Sequence, residues 1–244
     1  MVSVKLGNKT FENVEAVKLD TPDGSTVEFA PYEEAFAEGK QSEYDRFWDM
    51  YLQNGTRKNY TAAFAGEGWT DETFNPKYTP MVAGDGYQSV ELMFAYSKIT
   101  ELKEGIVDFS KVIDAYQIFR SCRELLRLPR IDLSSANSSS FFCGLCDKLE
   151  EIECIVVSDK LTYSNFFHSG ENLREVRFEG VIGNDMSLAW SPLLSEASVQ
   201  SIIDHLKDLT GVTAKSLTFQ ANVGAKLTEE QKTAITAKNW TLVY

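Results

Sequence analysis

The sequence predicts an α/β repeat solenoid: about four 24-residue rungs, a C-terminal α/β cap, and a small N-terminal β-meander and helix in front. Three observations predict it. Apolar residues recur every 24 positions through the middle of the chain, alternating strand-like patterning precedes them, and a looser helix-and-strand segment follows. The expected boundaries are 1–31 for the meander, 32–87 for the helix and a connecting leader, 88–194 for the rungs and 195–244 for the cap.

In the first segment, Val2, Val4 and Leu6 alternate and Gly7-Asn8 is a turn signal. Thr21-Pro22-Asp23-Gly24 marks a second turn, between strands at 14–19 and 26–29. Over 32–53, Tyr44, Phe47, Trp48 and Tyr51 share one face at helical spacing, and Asn54-Gly55 ends the helix. So few strands make no stable sheet alone. This region is expected to cover the first rung, or to attach the chain to another subunit through Tyr44, Phe47, Trp48 and Tyr51, with a homo-oligomer as one outcome.

The repeat decides the fold class. Asp108 and Ser110 recur as Asp132 and Ser134. Ile118, Phe142 and Phe166 form one column, and Phe119, Cys143 and Phe167 the next. Cys122, Cys146 and Gly170 follow, then Leu125, Leu149 and Leu173, then Leu128, Ile152 and Val176. An earlier, less regular unit reads as Met93-Phe94 with Ile99 and Leu102. The spacing from Ile99 to Leu125, and from Leu102 to Leu128, exceeds the repeat by two and implies a short insertion near Glu104-Gly105. A turn of this length cannot bury its own apolar face, but each can cover its neighbour.

Composition narrows the function. Hydrophobic residues make up 43% and aromatic residues 12%, which a disordered chain would not carry. Thirty-six acidic against 24 basic residues give a net charge of −12, which repels phosphate backbones and anionic lipid and argues against nucleic acid as a partner. No run approaches the ~20 apolar residues of a membrane span, so no insertion is expected. The opening Met1–Asn8 lacks the charged start and apolar core of a secretory signal, so the expectation is cytoplasmic assembly, with release, if any, by a route such as lysis.

Chemical signatures are few. Cys143-Gly144-Leu145-Cys146 has the spacing of redox and zinc sites, but both cysteines fall in repeat columns, where burial explains them. Cys122 and Cys146 should lie one rung apart as free thiols. His168 and His205 have no ligand-spaced partner, and there is no phosphate loop, dinucleotide fingerprint or nucleophile elbow. A non-enzymatic protein without cofactor or metal is expected.

The strand face offers the candidate site. Arg127, Glu151 and Glu175 form one outward column, Leu126, Glu150 and Arg174 a second, and Pro129, Glu153 and Arg177 a third. These columns set Arg127 beside Glu151, Glu150 beside Arg174 and Glu153 beside Arg177. Such pairs either brace the stack, at about 0.2–1 kcal/mol each, or form a charged recognition surface.

Asp108-x-Ser110 with Phe119-x-x-Cys122-x-x-Leu125-x-x-Leu128, and its copy Asp132-x-Ser134 with Cys143-x-x-Cys146-x-x-Leu149-x-x-Ile152, resemble the BspA-like leucine-rich repeats of bacterial surface proteins and of proteins encoded by phages and prophages of gut bacteria. The resemblance covers roughly residues 88–244, and Cys143 departs from it by replacing the usual Phe. Residues 43–49 and 66–78 look like the leader of prophage-encoded repeat proteins, and Val4–Phe11 is similar to the N-termini of phage structural proteins. The resemblance implies a virion-associated protein, assembled in the host cytoplasm, that binds another virion component or a host-surface molecule. Its alternatives are an adhesin on the bacterial cell surface and an intracellular inhibitor.

Overall fold

The computed structural model describes residues 3–6, 9–12, 17–20, 26–29, 63–74, 80–83 and 90–244. The chain divides into two compact units, Met1–Thr56 and Arg57–Tyr244. In the first, β1 (Ser3–Leu6) pairs antiparallel with β2 (Lys9–Glu12), and β3 (Val17–Asp20) with β4 (Thr26–Phe29). Gly7-Asn8 joins Leu6 to its partner Lys9, a two-residue hairpin connection. A meander would also pair β2 with β3. Among the described residues each hairpin instead forms its own two-stranded sheet. The helical face of Tyr44, Phe47, Trp48 and Tyr51 lies outside the described residues.

The second unit is built from parallel pairing of segments about one repeat apart. β5 (Met81–Val82) pairs with β6 (Val107–Asp108), and β7 (Arg127–Asp132), β8 (Glu151–Val157) and β9 (Glu175–Gly180) form a three-stranded sheet in that order. Arg127 lies opposite Glu151, and Glu151 opposite Glu175. Leu128, Ile152 and Val176 point inward as one buried column, and Ile131, Ile155 and Phe178 as another. Pro129 sits on the outer strand of this sheet, where a missing N–H is tolerated. The Arg127 N–H and carbonyl face residues 100–102, and alternation turns residue 129 the same way. Without a donor there, pairing beyond β7 stops at the single bridge between Glu101 and Arg127.

The chain returns through turns that repeat as closely as the strands. Leu92 and Tyr96, Gln117 and Ser121, Phe141 and Leu145, and Asn165 and Ser169 all have positive φ, between 52 and 64°. This kinks each turn so that alternate N–H groups face along the stack. Those of Phe94, Phe119 and Cys143 reach the carbonyls of Ile118, Phe142 and Phe166 in the next turn, at 2.8, 2.9 and 3.2 Å. The intervening N–H groups fold back within the turn, as from Ala95 to Leu92 and from Cys122 to Phe119. These N–H groups are satisfied without helix or sheet, which a buried turn requires. The repeated Asp-x-Ser has a local cause as well: Asp108 and Asp132 each accept from the N–H two positions on, at Ser110 and Ser134, both at 2.9 Å.

Aromatic rings fill the interior. Phe64 stacks on Phe94 at 5.3 Å, Phe94 on Phe119 at 5.2 Å, Phe119 meets Phe142 edge-on at 5.4 Å, and Phe142 stacks on Phe166 at 4.9 Å. The path crosses from one sequence column to the other between Phe119 and Phe142. The bonding register explains it. Phe94 N–H reaches Ile118, a full repeat ahead, but Phe119 N–H reaches Phe142, one position short of a full repeat.

Residues 63–74 and 80–83, which the sequence places in the leader, join this stack. The N–H groups of Phe64 and Gly66 bond to Met93 and Ala95, and Asp71 accepts from Thr100 N–H at 2.7 Å. The inter-turn bonding therefore begins before residue 88, where the sequence sets the first rung. The intervals from Phe64 to Phe94 and from Met81 to Val107 are both longer than the repeat, and they differ from each other, so a fixed ruler cannot register this turn.

At the other end, α1 (Glu196–Asp204, N-capped by Ser195) covers the outer edge of β9. Ser198 Oγ accepts from Val176 N–H and Ser201 Oγ from Phe178 N–H, both at 2.9 Å. A second parallel sheet then orders as β10 (Met186–Leu188), β11 (Lys215–Phe219) and β12 (Trp240–Val243). The connection from β11 to β12 contains the short α2 (Ala221–Gly224) and α3 (Glu229–Ala237), the latter held by a capping box between Thr228 and Gln231.

Phe142→Ala removes the ring that links two stacked neighbours and is expected to cost about 3–5 kcal/mol in urea unfolding. Asn165, exposed and left-handed, gives a test of the turns: Asn165→Gly should keep or gain stability while Asn165→Val loses about 1–2 kcal/mol. Equal stability of the two variants would contradict the turn geometry.

Candidate functional site

Strands β7 to β9 form one wall of an open groove of about 570 Å³. Of its apolar lining, Pro129 is half-buried, while Leu102, Leu128 and Ile152 are buried. Five carboxylates, from Glu101, Glu104, Glu151, Glu153 and Glu175, and three cations, Lys103, Arg127 and Arg177, line it. Parallel strands bring these side chains together: residues opposite each other on adjacent strands stand ~4.8 Å apart, so charges a whole repeat apart in sequence become neighbours.

Of the seven residues singled out by the columns, Arg127, Glu151, Glu153, Glu175 and Arg177 line the groove. Arg127 Nε stands 3.6 Å from Glu151 Oε2, with both side chains largely solvated, so the pair contributes little to stability. Glu175 accepts from Ser195 Oγ at 2.8 Å and Ser198 Oγ at 3.3 Å, which ties it to the start of α1.

Glu150 and Arg174 do not line the groove. They lie just before β8 and β9, and their link is the backbone bond from Arg174 N–H to the Glu150 carbonyl, 2.9 Å, not a side-chain ion pair. The expected partnership of Glu153 with Arg177 also fails. A β-bulge between Ile152 and Ile155 sets Glu153 and Cys154 together against Arg177 alone, so that the register beyond it falls one position short of the repeat.

That shift creates a pair the columns do not show. Arg130 Nη2 donates to Glu179 Oε2 at 2.8 Å, over the intervening β8. Cys154 lies between them, opposite Arg130 on the ladder, and its thiol is pushed up to about 11 by burial and the neighbouring Glu179 carboxylate. The hydrogen bond and charge of Arg130 hold the Glu179 carboxyl below its ordinary range. Lys207 reaches Asp159 at 2.7 Å, two repeats away, and Arg123 stands 3.8 Å from Asp147, one repeat away. Opposite charges spaced by whole repeats reveal the last two pairs in the sequence; the bulge hides the first.

The chain matches no family model, no curated protein and no solved structure.

The cysteines are buried free thiols. Cys122 Sγ donates to the Phe94 carbonyl and Cys146 Sγ to the Phe119 carbonyl, each at 3.0 Å, so this column is a ladder of inter-turn hydrogen bonds. Burial holds Cys143 and Cys146 well above the ordinary thiol range, which favours the neutral thiol. Gly170 continues the column where a Cβ would stand 3.1 Å from the Phe167 carbonyl oxygen and 3.3 Å from Ser191 Oγ. His205 Nδ1 lies 2.7 Å from the Ser201 carbonyl oxygen and His168 packs against Phe141 and Trp190. Among the described residues no three His, Cys, Asp or Glu side chains converge to hold a metal, and no helix is long and apolar enough to cross a membrane.

Because the folded protein holds the Glu179 carboxyl low, its contribution to stability is present above the ordinary carboxylate range and is lost as pH falls through the depressed folded value. A carbon-13 NMR titration should place its midpoint below that of an isolated glutamate, and Arg130→Gln should restore it. An unshifted midpoint in the parent protein would remove the pair.

Proposed function

We propose that this chain is a non-enzymatic binding protein: a leucine-rich-repeat-like solenoid carried by a phage or prophage virion. Its strand face recognises a protein partner, either another virion component or a host-surface molecule. One observation carries this reading. Lys103 and Arg177 line the groove without an ion pair to another described residue, as do Glu101, Glu104 and Glu153. Charges that brace the stack find partners within it, as Arg127 and Glu151 do. Unpaired charges of both signs, set in rows, suit a partner with a complementary row, which gives specificity and a fast encounter.

Two further features support the reading. Stacked repeats commonly bind through their regular face, and residues 66–78 and Val4–Phe11 resemble phage sequences. Attachment falls to the N-terminal region with Tyr44, Phe47, Trp48 and Tyr51.

Peptide mass spectrometry of density-purified particles from an induced host culture should find this protein at a fixed ratio to the major capsid protein; its absence would sink the virion assignment. Recombinant protein with Lys103→Glu and Arg177→Glu should bind stripped particles or host cells at least tenfold more weakly than the parent. Undiminished binding would move the contact off the strand face.

A further inference from the structure

Away from the groove, five turn segments share a composition unlike the rest of the chain. Leu92–Ser97, Gln117–Cys122, Phe141–Cys146, Asn165–Gly170 and Leu188–Leu193 hold no Asp or Glu, in a chain with 36 of them in 244 residues. A row of flat side chains crosses the last four of these segments. Tyr96 holds the matching backbone position one turn earlier, its N–H donating to the Arg120 carbonyl at 2.9 Å. The Arg120 guanidinium lies 5.6 Å from the Phe141 ring centre, Phe141 5.7 Å from His168, and His168 5.0 Å from Trp190. Gly144 makes room for the row, since a Cβ there would stand 2.8 Å from Phe141 Cδ1. Tyr96 and Trp190, at the two ends, are 50% and 48% exposed.

We infer that this row is a platform for a linear, uncharged glycan. It is independent of the strand-face groove and of the partner proposed there. Size separates a glycan from a protein ligand. Four steps of ~4.8 Å make a row about 19 Å long and one side chain wide, far short of the ~800 Å² per partner that a stable protein interface covers. An extended peptide would need main-chain partners as well. In the first three of these turns the backbone has few to give, since nearly all its N–H groups are committed along the stack or back within the turn.

A sugar chain needs neither. Its polarised C–H faces lie on electron-rich rings, and its hydroxyls accept from the Arg120 guanidinium. Nη1 of that group donates to Gln117 Oε1 at 3.0 Å, which fixes its plane. With no carboxylate in these turns, the cation forms no salt bridge that a sugar would have to displace. The net charge of −12 repels a polyanionic chain and selects an uncharged one.

The test titrates the full-length protein with cellohexaose, maltohexaose and chitohexaose, and with an oligogalacturonate of equal length, reading tryptophan fluorescence and isothermal calorimetry. At least one neutral chain should bind and shift the emission. Trp190→Ala should weaken binding about tenfold or more, and Arg120→Gln should weaken it while the thermal midpoint stays near that of the parent. Arg177→Glu, in the groove, should leave the glycan affinity unchanged. No response to any neutral chain, preferential binding of the oligogalacturonate, or full affinity in Trp190→Ala would each overturn the assignment.

Discussion

The structure depends on hydrogen bonds that run from one turn of the chain to the next. In the strands they form an ordinary parallel ladder. In the turns they exist because two residues, four apart, adopt the left-handed conformation and aim alternate N–H groups along the stack. That conformation costs an L-residue roughly 1–2 kcal/mol. The cost is offset because the N–H groups aimed along the stack then find a carbonyl, and an unsatisfied one would cost a comparable amount. Ring stacking and thiol bonds follow from that register. Phe119 meets Phe142, and Cys146 reaches the Phe119 carbonyl, because the backbone has already set the spacing.

Where spacing is constant, the residues announce their neighbours. Asp108 and Asp132, and Leu128, Ile152 and Val176, are visible as columns because a strand and its following turn repeat with the same count. Where the count changes, the columns mislead. The bulge after Ile152 uncouples Glu153 from Arg177 and creates the Arg130–Glu179 pair. The longer sequence interval between Phe64 and Phe94 hides a turn whose Phe64 and Gly66 N–H groups bond to its successor as in the regular ones. The left-handed residues could not be read at all: Phe141, Leu145 and Gln117 are not residue types that favour positive φ, and tertiary bonding imposes it on them.

The two candidate surfaces differ in the same way. The groove is legible because its charges sit on strands, where outward positions repeat. The aromatic row is not, because Tyr96, Arg120, Phe141, His168 and Trp190 are different residue types at unequal spacings. Only folding shows that Phe141 occupies the space above Gly144 and so completes the line. A side chain can serve a column that its position in the sequence does not assign to it.

The serine hydroxyls of α1 have a consequence for the evolution of length. They seal the last strand by reading two backbone amides, those of Val176 and Phe178, and no particular side chain of the strand. Any strand of like curvature would offer the same pair. Whole units could therefore be gained or lost upstream while the terminal segment stays intact, and the sealed border denies stray chains a template for edge-to-edge growth.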